Sequence, residues 1–247
     1  RPRNPQGGFR MKRPGRGRII ATAIIGLLVA FFVSGRSIAG FYVDALWYNS
    51  LGRGDVFWET IGVKAALGAV FVLVFVGLMT FNGWLADRLA PTVVAPSPEE
   101  RALAGYRQLI GSRQWLVRLV VSVVLGFLVG LPAITQWQDW LLFRNHQSFG
   151  VTDPLFGQDI GFFVFRLPFA EFVVNWLFGA FVLITLVTAA IHYLNGGIRL
   201  QVQGRKVTPQ AKVHLSVLFA ALAVIRAAGY WLSRYSLTGS TRGVVRG

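Results

Sequence analysis

The chain has 247 residues, 54% of them hydrophobic and only 14% charged, with a formal net charge of +15 and no cysteine. That charged fraction is far below the ~25% of ordinary soluble domains. Its apolar residues collect in runs of about 20, the length that crosses a ~30 Å hydrocarbon core at ~1.5 Å per residue, so a soluble fold is excluded, as are disulfide staples and thiolate chemistry.

A transmembrane barrel requires alternating segments of about ten residues, and Val70-Phe-Val-Leu-Val-Phe-Val76 does not alternate. The expected fold is therefore all-α, a polytopic helical membrane protein. We expect about five transmembrane helices, short interfacial helices and a small hairpin, because lipid cannot satisfy open backbone groups. In a soluble protein the strong positive charge would point to nucleic acid. Here the basic residues cluster between apolar runs, as an orientation signal does, and no nucleic-acid partner is expected.

Residues 1–18 form a basic cytoplasmic tail without an acid, broken by Pro2, Pro5 and Pro14. Arg10, Lys12, Arg13, Arg16 and Arg18 are its candidate contacts to anionic lipid, at about 1 kcal/mol per basic residue near a charged surface. Residues 19–40 are span 1. A signal peptide with Ser37-Ile38-Ala39 as its cleavage site is the rival reading. Residues 41–60 mix Tyr42, Trp47, Tyr48, Phe57 and Trp58 with Asp44, Asp55 and Glu59, which suits an outer interfacial segment.

Span 2 covers 61–84, with Lys64 near its outer end. The cytoplasmic loop 85–114 holds a capping box at Ser97-Pro98-Glu99-Glu100 and a stop at Gly111, predicting a short amphipathic helix between them. Span 3 covers 115–134 and contains Gly126-x-x-x-Gly130, a spacing that permits close helix approach. An outer motif segment, 135–167, follows. Trp137, Trp140 and Phe143 suit a short helix at headgroup level. Asp153-Pro154 and Gly157 are turn chemistry, and Phe162–Leu167 has the composition of a short strand. Trp137, Trp140, Phe149, Asp153, Phe156 and Asp159 are the candidate contacts to an outer partner. A plain ordered loop is the alternative.

Span 4 covers 168–194 and carries Glu171 and Asn175 one turn apart. The cytoplasmic segment 195–212 opens with Asn195-Gly196-Gly197, alternates at Ile198, Leu200 and Val202, and reads as a hairpin. Thr208-Pro209 starts the next helix. Span 5 covers 213–235, is rich in small residues, and holds Arg226. Residues 236–247 are read as the start of an outer region. The inner segments hold fifteen basic residues and the outer side seven, counting Arg36 and Arg234 at the outer ends of spans 1 and 5. The N-terminus is therefore expected in the cytoplasm and residue 247 outside, in the plasma membrane.

Phe149-Gly-Val-Thr-Asp-Pro-Leu-Phe-Gly-Gln-Asp-Ile-Gly-Phe-Phe-Val-Phe-Arg-Leu-Pro168 resembles one family, the large multi-pass membrane proteins of actinobacteria known as uncharacterised protein family 182. Gly197-Ile-Arg-Leu-Gln201, Val207-Thr-Pro209 and Tyr235-Ser236-Leu237 with Gly239 fit the same pattern, so the resemblance covers essentially the whole chain. It implies a longer protein, with about seven spans and a large extracytoplasmic domain. It supplies no catalytic residues.

No metalloprotease helix, phosphate loop, dinucleotide fingerprint or nucleophile elbow occurs. His192 and His214 both fall at the inner face. Without nearby carboxylates, helix-end capping is the reading for both, and neither a metal nor a cofactor is expected. Arg226, Glu171 and Asn175 are the candidate intramembrane polar cluster, since charges inside spans are costly and usually face the bundle. Depth counting places Arg226 facing span 4, paired with Glu171 and hydrogen-bonded to Asn175. The functional expectation is a non-enzymatic membrane anchor and assembly module for an extracytoplasmic domain, a homo-oligomer or a subunit of a larger complex. The alternatives are a transporter or channel subunit completed by further spans, and the anchor of an extracytoplasmic enzyme domain.

Overall fold

The computed structural model describes residues 35–91, 113–199 and 206–239. The basic tail, span 1 up to residue 34 and the amphipathic helix expected between 97 and 111 lie outside these residues. The chain divides into two compact units, one ending at Ile61 and the other starting at Gly62.

In the first unit a helix, α1, occupies 35–50 and a tight turn leads into α2, Gly54–Arg88. Gly52 makes the turn at φ 68°, a left-handed conformation that a side chain disfavours. Phe57 is buried among Phe41, Tyr48 and Trp58, with ring centroids 5.2, 5.7 and 5.3 Å away. The aromatic residues expected at an interface are thus helical and pack on one another. α2 extends past the apolar run 61–84 at both ends, with Asp55 in its first turn and Arg88 in its last, each complementing the helix dipole.

In the second unit α3 is Gln114–Gly130, and a tight 3-10 stretch, Leu131–Gln136, carries the helical path on into α4, Trp137–Arg144. Pro132 sits at the start of the tight stretch and has no N–H to give the regular ladder. Residues 162–167 are not a strand. Phe162–Arg166 form a π-helical turn that feeds α5, Leu167–Leu194. Strand propensity measures fit to a pleated sheet surface, and the described residues offer no strand, only the isolated bridges Thr152–Asp159 and Ile198–Val207. Pro168 adds a missing donor at this point. α6 is Pro209–Ser233, capped by Thr208, whose Oγ1 accepts from the Ala211 N–H at 3.4 Å. A final 3-10 turn covers Tyr235–Gly239.

Among the described residues, four helical stretches are long and apolar enough to cross a membrane: Gly54–Arg88, Gln114–Arg144, Phe162–Leu194 and Pro209–Thr238. Where the helices meet in the second unit, two apolar cores form. One joins Phe75 and Met79 to Ala180, Ile184 and Leu218. The other joins Leu67 and Phe71 to Ala133 and Phe169. Gly126 and Gly130 bring α3 against α2. A methyl on Gly130 would lie 2.6 Å from the Val72 backbone nitrogen, so the small-residue spacing is used for helix contact.

Candidate functional site

The polar side chains of the second unit gather at one end of the helices, where α2 finishes, α3 begins, α5 finishes and α6 begins. Asp87 and Arg118 form an ion pair there. Asn195 spans both partners: its Nδ2 donates to Asp87 Oδ1 at 2.8 Å, and its Oδ1 accepts from Arg118 Nη2 at 3.4 Å. Three helices are joined by one closed set of polar contacts. Arg118 lies one turn inside α3, and a cation at that position is costly unless something pairs with it.

A second set lies one turn deeper and is buried. Asn82 Nδ2 donates to the Leu78 carbonyl at 2.8 Å, which turns its Oδ1 toward His214 Nε2 at 3.1 Å. That oxygen can only accept, so His214 Nε2 carries a proton. His192 Nε2 stands 3.1 Å from His214 Nδ1 and shares a hydrogen bond with it. The chain runs His192, His214, Asn82, Leu78. His192 Nδ1 is buried without a partner. It faces Gly197, where an added methyl would stand 3.3 Å away. The helix-capping reading of the two histidines is thus corrected: their rings face each other between α5 and α6, because both helices turn these positions inward.

Beside these sets is a cavity of about 180 Å³ between α2, α3 and α5. Thr80, Gln114, Arg118, Ser122 and Asn195 line its polar side and Met79 reaches into it from the apolar core. Its volume suits a few waters, at roughly 30 Å³ each, and falls short of the ~300–1,000 Å³ of most ligand sites. No group of three His, Asp or Glu side chains among the described residues could hold a metal.

The expected cluster of Arg226, Glu171 and Asn175 does not form. The Arg226 guanidinium lies over the rings of Phe178 and Tyr230, at 5.4 and 4.6 Å. It makes no ion pair or hydrogen bond with Glu171 or Asn175. The cause is register. Gly229 of α6 lies opposite Val174 of α5, and the helices run antiparallel, so one turn back on α6 meets one turn forward on α5. Arg226 therefore faces α5, as expected, but at Phe178. Cation–π attraction takes the place of the charge pair.

The outer motif residues mostly serve the loop itself. Asp159 accepts from the Ser148 hydroxyl at 2.6 Å and from the N–H groups of Phe149, Gly150 and Gly161 at 3.1, 3.1 and 2.7 Å. The Ser148 hydrogen bond, followed by the backbone donors, holds its carboxyl below the usual aspartate range. Asp153 Oδ2 accepts from Leu155 and Phe156 N–H at 3.0 and 2.7 Å, an Asx turn completed by Gly157 at φ 64°. Phe156 packs on Tyr235 at 5.1 Å and Trp140 on Phe169 at 5.2 Å, while Trp137 lies under Lys64 Nζ at 4.8 Å. Phe149 touches Phe165 but keeps 52% of its surface open. Arg10, Lys12, Arg13, Arg16 and Arg18 lie outside the described residues.

Sequence reasoning missed the linkage of Asp87, Arg118 and Asn195. A usable signal was present: Arg118 is a cation inside a span, and Asp87 is an acid at the same end. Nothing in the sequence marked Asn82 as the partner of His214.

Long apolar helices and polar clamps at one bundle end together define an all-α polytopic membrane protein. More narrowly, the chain belongs to the Uncharacterised protein family (UPF0182), whose sequence model matches residues 20–247. It is 39% identical to a UPF0182 protein of Salinispora tropica, over 92% of this chain and 23% of that protein. Similar relatives occur in Nocardioides sp., 37% identical over 100% of this chain and 24% of the relative, and in Mycobacterium tuberculosis, 38% identical over 95% and 24%. The chain thus spans about a quarter of the length of the curated relatives it matches. No solved structure matches it.

Proposed function

We propose that this chain is a non-enzymatic membrane anchor and assembly module, with no transport path of its own among the described helices. One observation carries the reading: the apolar core of Phe75, Met79, Ala180, Ile184 and Leu218 closes the helix contact above the polar end. A proton or ion path needs polar groups or water along its length. Here Asp87, Arg118, Asn195, Asn82, His192 and His214 are spent on clamping helices together, Ser122 and Thr185 bond the backbone of their own helices, and Met79 of the apolar core lines the small cavity. The length of the relatives supports a role in carrying and orienting further chain.

In the proposed arrangement the chain sits in the plasma membrane with its N-terminus and the Asp87 end in the cytoplasm. The basic tail contacts anionic lipid, the 145–161 loop and residue 247 lie outside, and the loop meets the extracytoplasmic part of the protein or a further subunit. Only 6% of the apolar window of Pro209–Thr238 is buried, against 28% for Gly54–Arg88, so α6 offers the widest face for lipid, further spans or a second copy. The test combines two measurements on the intact protein. Alkaline carbonate should leave it in the membrane pellet, and proteoliposomes should pass protons and sodium no faster than empty vesicles. Release from the pellet removes the anchor, and a flux that scales with protein content establishes the transporter reading instead.

A further inference from the structure

At the end of the second unit opposite Asp87, a cleft of about 530 Å³ opens between α4 and the start of α5. Its rim carries Arg144, His146 and Arg166, and its floor is Trp140, Phe143 and Phe162. No carboxylate lines it. Asp159, the acid nearest in the loop, already has four donors on its two oxygens, which fills its acceptor sites. Arg144 makes no ion pair with any described residue and is exposed. Arg166 is positioned rather than neutralised: its guanidinium donates to His146 Nε2. An arginine can only donate, so His146 Nε2 accepts and its Nδ1 is the nitrogen left to donate. The rim therefore offers two full cations and one further N–H donor, and among the described residues no carboxylate lines the cleft or forms an ion pair with either arginine.

The floor has the opposite character. Trp140 and Phe143 lie nearly parallel, at 6.1 Å and 18°, and both lean on Phe169 of the apolar core. The cleft thus runs from a basic rim at the helix ends to an aromatic wall that continues into the span. A free anion would use the rim alone. A ligand that uses both halves is an anion with apolar chains attached, placed at the level where a helix leaves the hydrocarbon.

We propose that this cleft binds an anionic phospholipid, its phosphodiester held between Arg144 and Arg166 and its acyl chains laid along Trp140 and Phe143. Guanidinium forks match phosphate oxygens, usually through paired hydrogen bonds. A zwitterionic headgroup brings a third cation to a rim that already has two, so phosphatidylglycerol is favoured over phosphatidylcholine. The site uses none of the tail's residues and does not depend on the anchor reading.

The test uses the intact protein in nanodiscs of mixed phosphatidylglycerol and phosphatidylcholine, with retained lipid counted by native mass spectrometry. Wild-type protein should retain phosphatidylglycerol preferentially. Arg144→Gln should lower that preference about tenfold, the effect of losing one charge-assisted contact. Arg144 has no described hydrogen bond, so its loss should leave the melting temperature unchanged. Arg53→Gln, an equal charge change at another exposed site, should leave the preference intact. Equal retention of both lipids, or an unchanged preference in Arg144→Gln, overturns the proposal. Displacement of the lipid by millimolar glycerol phosphate also overturns it, in favour of a soluble phosphate ester.

Discussion

Gly130 and Gly126 share one helix face, but what each would strike on gaining a methyl differs. At Gly130 the obstacle is the Val72 backbone, at 2.6 and 2.7 Å; at Gly126 the closest atom is a Val76 methyl, at 2.5 Å. A side chain can rotate away and a packed backbone cannot. Gly130→Ala should therefore destabilise by about 1–3 kcal/mol, the usual range for overpacking, and Gly126→Ala by less, as read from denaturant unfolding in detergent. Equal effects would show that α2 and α3 are not held at this distance. Asp159 makes the second residue-scale case. An amide in its place has one acceptor oxygen for four donors, so Asp159→Asn should speed hydrogen exchange at Phe149, Gly150 and Gly161. The pH dependence follows the same bonds. The carboxyl titrates lower in the folded loop than in an open one, so the order it adds is complete above the ordinary aspartate value, about 4. It is lost as pH falls through the lower folded value. Exchange of the loop, corrected for its intrinsic rate, should accelerate only in that acid window. The glycine spacing and the turn chemistry were legible in sequence because both are local.

Between elements, polar contacts decide the register that apolar packing leaves loose. Lipid is as apolar as leucine, so burial alone gives membrane helices little reason to prefer one pairing over another. Asp87, Arg118 and Asn195 supply that preference for α2, α3 and α5, while Asn82, His214 and His192 bring in α6. Asp87 keeps 39% of its side chain exposed and Arg118 19%, so the pair belongs between the weak surface case and the fully buried one. A double-mutant cycle of Asp87→Asn and Arg118→Gln should give a coupling of about 1–2 kcal/mol. Simple additivity would reduce the pair to a surface contact. Trp176 adds a related link from α5 to the Val129 carbonyl of α3, at 2.9 Å. The misplaced partner of Arg226 shows the converse. Counting residues from helix ends fixes depth only to about a turn, and one turn separates Glu171 from Asn175 and Asn175 from Phe178.

For the molecule as a whole, the absence of cysteine makes single-site labelling clean. Leu155, 69% exposed in the loop, and Lys206, exposed beside the opposite helix ends, report the two sides. In intact cells an impermeant thiol reagent should modify Leu155→Cys and not Lys206→Cys. The reverse pattern would invert the proposed orientation. The sequence by itself determined the all-α class, the apolar helices and the cap at Thr208, since each depends on composition or neighbours within about 20 residues. It also held the family pattern, which is carried by one continuous motif. It misjudged 162–167, where side-chain type favoured a strand but no partner strand was present to pair with. Only the tertiary structure decided which polar groups meet: Asp87 with Arg118 across the end of the bundle, and Asn82 with His214 over 132 positions. Such pairs depend on helix rotation and relative shift, which a window of sequence shorter than their separation does not encode.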